Sequence, residues 1–389
     1  MKTFIALLLF CGIAHADALP TRAQLVGEAN EKIARVQKLL QKEHLGAVVL
    51  SRTADISWVT GGLADAHVVI TSEEAAASLV ITADGGRYLV ASTSESARLL
   101  GEDLQALGFQ LKGLRWFEDK KVGVVKALGG GKPVATDLAL GDLRVIDLHL
   151  LEVPLTDTEL QKYRWLGHNT ADAVVAALAL VKPGMTEREI EAITSDELMK
   201  RKIRPTVLLV GADDRLYKIR HVVPTDDTKV VRYAMINVCA RRWGLVAAIT
   251  RFVHFGPLSP ELAKKAVIVA RVAATEWAAL EPGVAATQLL AAAQHAYADA
   301  GVPDEWQQHH QGGAIGYGER DWIISPTSKE HVADREAFAF NPSVPGVKDE
   351  DTVLLVDGKL ENLTPTPTLP TQKIEIAGRT FERPAIWVR

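Results

Sequence analysis

Two stretches roughly a hundred residues apart, VKPGMTEREIEAI (residues 181–193) and LEPGVAATQLLAA (residues 280–292), decide how this chain is read. In each, a long apolar helix stops at a Pro-Gly pair and a second helix starts a few residues later. The first helix spans Thr156 to Leu180, with Thr156 or Asp157 as cap and Glu159 supporting its first turn; Thr186 caps the helix after it, with Glu189 three residues on. The second copy pairs a helix from Pro260 to Leu280 with one from Ala286 to Ala300. Strands predicted at Thr206–Val210, Tyr233–Val238 and Gly244–Thr250 follow the first pair. The recurrence predicts a duplicated α+β half, with sheets between two helix pairs and a cleft where the halves meet.

Upstream lies a separate unit, from about Thr21 to Leu151. Its helix at Glu28–Leu45 is followed by strands at Ala47–Leu50, Ile56–Gly61, Ser78–Thr82 and Gly86–Ala91, then a helix at Ser94–Leu107. This alternation predicts an α/β domain. Gly129-Gly130-Gly131 lacks the downstream Lys-Ser/Thr of a phosphate loop and reads as a turn. At the start, Lys2, the apolar run Phe4–Ile13 and Ala14-His15-Ala16 form a basic, apolar and small-residue succession. It predicts a secretory leader over residues 1–16 and a secreted or periplasmic protein.

The chain has 389 residues and a net charge of −4. That balance gives no reason to expect nucleic acid or a membrane surface as partner. Without the leader one cysteine remains, Cys239, so an intramolecular disulfide is ruled out; its apolar setting reads as core.

Several motifs, in order and spacing, resemble the pita-bread family of creatinase, aminopeptidase P, prolidase and methionine aminopeptidase. They are Asp55-Ile56-Ser57-Trp58-Val59-Thr60-Gly61, Lys182-Pro183-Gly184-Met185-Thr186-Glu187, His221-Val222-Val223-Pro224, Thr250-Arg251 before Val253-His254-Phe255-Gly256, and Glu350-Asp351-Thr352. The resemblance implies a creatinase-like N-terminal domain over 21–151 and a pita-bread domain over 154–389, an α+β chain. It also implies a homodimer in which one chain's N-terminal domain closes the other's site, through Arg52 or Trp58.

The same resemblance locates a dimetal centre and shows it taken apart. The positions matching the family's ligands read Asn237, Ala248, Gly313, Asn341 and Glu350. A transition-metal pair needs several anionic or imidazole ligands, and one carboxylate does not supply them. The expectation is no metal and no other cofactor. A shifted alignment would instead give the metal to His309, His310, Asp321, Glu350 or Asp351.

What remains is read as chemistry without metal. His221 matches the family histidine that contacts substrate and, in creatinase-like members, moves the proton. Glu350 would stabilise its imidazolium, and His309 matches a histidine near the scissile bond. His310, Asn237 and Asn341 are read as substrate contacts. Arg320 would hold a carboxylate, unless it is a surface arginine. Arg251 is read as a structural ion pair, and Arg241-Arg242 as a solvated hairpin turn.

The leading expectation is therefore a metal-independent, creatinase-like hydrolase of a C–N bond in a small amide, amidine or imino-acid compound. The alternatives are an Xaa-Pro aminopeptidase or prolidase-like metallopeptidase, and a silent peptide-binding protein. Each takes a small molecule or short peptide as partner.

Overall fold

The computed structural model describes residues 18–389; the leader read over 1–16 lies outside them. Among the described residues no helix is long and apolar enough to cross a membrane.

The first unit is built on a six-stranded mixed sheet. Its strand order is Gln110–Leu114, Arg87–Ser92, Glu74–Thr82, Ala47–Arg52, Val134–Thr136 and Arg144–Val145. Ala47–Arg52 is central and buried, which fits its unbroken Val-Val-Leu run. The helix Arg22–Lys42 covers one face with Ile33, Val36 and Leu40.

One expectation for this unit fails. Ile56–Gly61 is not a strand; Thr53–Val59 is a helix. The central strand already has neighbours on both edges, so the apolar segment buries Ile56, Trp58 and Val59 by coiling back on the sheet. Trp58 is fully buried and unavailable to a partner chain, whereas Arg52 is exposed.

In the second unit the repeat is physical. Gly184 N–H donates to the Val230 carbonyl at 2.8 Å, and Val230 N–H returns to Met185. In the other half, Gly283 N–H donates to Val332 and Val332 N–H returns to Val284, both at 2.8 Å. Both glycines sit at positive φ, +92° and +88°, where a side chain is strained. Thr186 and Glu189 form a reciprocal cap. In the second copy only the Gln288 side chain returns to the Ala285 N–H, because alanine has no acceptor.

The helices Asp157–Leu180 and Glu187–Lys200 pack on a sheet of Arg204–Ala212, Tyr233–Arg242, Leu245–His254 and Trp387–Val388. The helices Pro260–Ala278 and Ala286–Asp299 adjoin the other sheet, of Trp322–Ile323, Gly312–Ala314, Glu336–Phe340, Thr352–Val356 and Lys359–Asn362. Thr352 ties the two sheets together: its hydroxyl accepts from Ala248 N–H at 2.7 Å and donates to the Ala248 carbonyl at 3.0 Å.

The hairpin turn is Trp243-Gly244, both at positive φ, the twist a two-residue hairpin favours. Arg241 and Arg242 instead end the strand, and Arg242 lies over the rings of Trp165 and Trp243. The solvated-turn reading of these arginines is thereby corrected: delocalised guanidinium stacks on aromatic faces and is held half-buried.

Candidate functional site

The cleft residues are set by strands of both halves. Asn237 lies opposite Thr250 in an antiparallel pair, and Ala248 opposite Cys239. Side chains alternate along a strand, so Asn237 and Cys239 share one face, as do Ala248 and Thr250. Glu350 is fixed by its backbone, whose carbonyl accepts from Thr250 N–H at 3.0 Å. Asn341 follows the strand Glu336–Phe340, and Gly313 pairs with Ala339 beside it.

Glu350 is buried and is the hub. Its Oε2 accepts from Asn237 Nδ2 at 2.6 Å and from the Thr250 hydroxyl at 2.9 Å. Lys348 Nζ stands 2.9 Å from the same oxygen and 3.2 Å from Asn237 Oδ1. Arg320 Nη2 donates to Oε1 at 3.0 Å. Burial raises the carboxyl pKa, but Lys348, Arg320 and the hydrogen bonds outweigh it and hold the group down at about 2. Glu350 is thus ionised at neutral pH, with its oxygens committed. It makes no direct contact with His221 among the described residues, so its expected role as that imidazole's partner is corrected to an electrostatic influence at a distance.

Lys348 was not anticipated. The signal was present: Lys348 and Glu350 are two apart in an extended stretch and so face the same way.

His221, His309 and His310 gather at the mouth, with one nitrogen of each within 4.8 Å of the others. His309 Nδ1 lies 3.3 Å from the Asn341 carbonyl, which only accepts, so Nδ1 carries the proton. His309 Nε2, 2.8 Å from His221 Nε2, then accepts, and His221 donates. This leaves the neutral His221 with its lone pair on Nδ1. Burial and then nearby cations push the pKa values down, His309 to about 3 and His310 to about 4; His221 moves in the same direction.

Four further residues have defined places. Asn341 Nδ2 lies 3.4 Å from His310 Nδ1, while its Oδ1 is buried without a partner. Arg320 Nε is likewise buried and unpartnered. Burial pushes the Cys239 thiol up to about 12, which excludes a thiolate nucleophile at neutral pH. Arg251 is buried and pairs with Asp351 at 2.5 Å, the structural bridge expected.

Do these residues fit the divalent pair that the resemblance implies? Asn237 and Asn341 offer neutral oxygens, Ala248 a methyl and Gly313 only hydrogen. The one carboxylate is neutralised by an ammonium and a guanidinium. A Cβ on Gly313 would stand 2.1 Å from the Trp322 carbonyl oxygen, so no ligand side chain fits there. The donor set does not fit two divalent ions. The shifted alignment fares no better: Asp351 serves Arg251 and Arg383, and Asp321 gathers with His149 and Glu152 instead. The three histidines face the same cations, which disfavours a further dication. A cavity of about 720 Å³ lies elsewhere, under the hairpin of Thr371–Ile376 and Arg379–Pro384. It contains none of the cleft histidines.

Comparison with known proteins agrees with the fold. Residues 161–357, half of the chain, match metallopeptidase family M24, and residues 32–137 match the creatinase/prolidase N-terminal domain. A probable dipeptidase PepE of Mycobacterium tuberculosis is 24% identical over 340 residues, covering 80% of this chain and 88% of that protein. An Xaa-Pro dipeptidase of Pyrococcus horikoshii is 24% identical over 357 residues, covering 87% and 97%. The crystal structure of dipeptidase PepE from Mycobacterium ulcerans superposes with a TM-score of 0.74 at 20% identity, covering 87% of this chain and 96% of that one. With a creatinase-type N-terminal domain ahead of a duplicated α+β unit, this chain belongs to metallopeptidase family M24.

Proposed function

We propose that this protein is a peptidase-family hydrolase of short peptides. The observation that carries this is the polar cleft of Glu350, Lys348, Arg320 and three neutral histidines, at the meeting of the two halves of an M24 chain. The names of the relatives, dipeptidase and Xaa-Pro dipeptidase, favour a peptide over a creatine-like amidine. On substrate class the peptidase alternative, prolidase-like in family, is therefore the better supported one, and the two names together leave the C-terminal residue open.

No step is routed through metal, because the donor set does not fit a pair. In our reading His221 carries the proton. Water attacks the amide carbon; its proton passes to His221 Nδ1 and then to the leaving nitrogen as the C–N bond breaks. His309 holds His221 in the required tautomer.

The test is incubation of the purified protein with a dipeptide library that includes Xaa-Pro members. It is run with Mn²⁺, with Co²⁺ and with chelator, and read by mass spectrometry. Cleavage that survives chelator and is lost in His221→Ala supports the proposal. Cleavage only with added metal would return the protein to ordinary metallopeptidase chemistry. Binding without cleavage would favour the silent binding protein, a reading supported by the full commitment of Glu350.

We further propose export, on the leader read in residues 1–16, and a homodimer. Exposed Val68, Val69, Ile70, Trp116 and Phe117 on the first unit support the dimer as apolar surface suited to a partner.

A further inference from the structure

We infer that the position matching the family's metal pair has become a carboxylate-binding site, with Lys348 and Arg320 receiving the C-terminal carboxylate of a short peptide. The inference rests on the peptide reading above for its substrate but not for its chemistry.

The first ground is charge. Two cations, Lys348 and Arg320, face one anion, Glu350; all three side chains are at most 10% exposed. The histidines beside them are neutral near pH 7. One positive charge is thus left uncompensated in a low-dielectric pocket, which is costly until a monoanion enters. An ammonium or a second cation in the same place would meet repulsion.

The second ground is a pair of buried polar atoms without partners. Arg320 Nε keeps an unused N–H, and Asn341 Oδ1 an unused acceptor. Buried polar groups are rarely left so. A carboxylate oxygen satisfies the first, and guanidinium suits planar carboxylates. The peptide N–H next to a terminal carboxylate satisfies the second. A peptide ending in proline lacks that N–H, so the site favours other C-terminal residues.

The third ground is access. Lys348, 10% exposed, is close enough to all three histidines to act on them electrostatically, and His221 and His310 are exposed at the surface. A peptide entering past them leads with its carboxylate and leaves its amide bond beside His221.

Calorimetry on the full chain tests this with four probes: Ala-Ala, its C-terminal amide, Ala-Pro, and butyrate. Ala-Ala should bind at least ten-fold more tightly than its amide, and more tightly than Ala-Pro. Lys348→Met and Arg320→Met should each lose that preference while still binding the amide as before. Each variant leaves Glu350 one cation, so neither strands a lone buried charge. Equal binding of Ala-Ala and its amide, or variants that keep the preference, would overturn the carboxylate site alone. Butyrate binding that needs Lys348, with no peptide binding, would uphold the site and sink the peptide reading. Failure of every probe would overturn both.

Discussion

His221 Nε2 and His309 Nε2 face one another at 2.8 Å, and the carbonyl of Asn341 decides which of them donates. Both rings cannot carry a second proton while this contact lasts. His309 has its folded pKa lowered from 6.5 to about 3. Between those values the unfolded chain binds the proton and the fold does not, so stability falls as pH drops. The urea midpoint should be lower at pH 4.5 than at pH 7, and His309→Gln should flatten the decline. An unchanged slope in that variant would show that His309 is not the group responsible.

Glu350→Gln removes the anion between two buried cations. Breaking a buried pair from one side costs about 3–5 kcal/mol, and a loss in that range is expected in chemical denaturation. The double variant Glu350→Gln, Lys348→Met should be more stable than Glu350→Gln alone, because it removes a stranded charge. Additive losses would mean that Lys348 and Glu350 do not interact as their 2.9 Å separation says.

The chain as it stands should retain no Mn²⁺ or Co²⁺ after equilibrium dialysis. Asn237→Asp, Ala248→Asp and Lys348→Met together would set two new carboxylates by Glu350 and remove the competing ammonium. That triple variant should retain metal where the parent does not. Stoichiometric metal on the parent would refute the assignment of the lost ligands.

Gly184 and Gly283 hold the same φ in the two halves, +92° and +88°. Alanine at either should destabilise by about 1–2 kcal/mol through backbone strain alone, since open space surrounds both. The sites are in separate halves, so the double variant should be close to additive. A loss at one site only would show that the two turns are not mechanical equivalents.

The duplicated architecture was legible because the turns obey local rules: Pro-Gly after an apolar helix, a cap, then a new helix. Thr186 with Glu189 forms as read, and so does the Thr156 cap with Glu159. Ile56–Gly61 reads as a strand and folds as part of a helix, because a short apolar segment does not distinguish the two by periodicity. The sheet it packs on settles its conformation. In the site, Asn237 meets Glu350, Asn341 meets His310, and the three histidines gather together. The role of Lys348 was not legible, because it depends on a hairpin folding Val347–Lys348 over Ser343–Val344 toward Asn237. Tautomers were equally hidden, since the deciding group is a main-chain carbonyl.

The narrow space at Gly313 makes the routes from this cleft to a metal centre unequal. Asparagine can become aspartate at 237 or 341 by a modest chemical exchange, and Ala248 can grow a side chain. Histidine at 313 would drive its Cβ to within 2.1 Å of the Trp322 carbonyl oxygen, so the strands must part before that ligand returns. The step at 313 alone is therefore gated, by a backbone that has closed over one corner of the cleft. Short of that, the cleft has a lysine, an arginine and three imidazoles to work with.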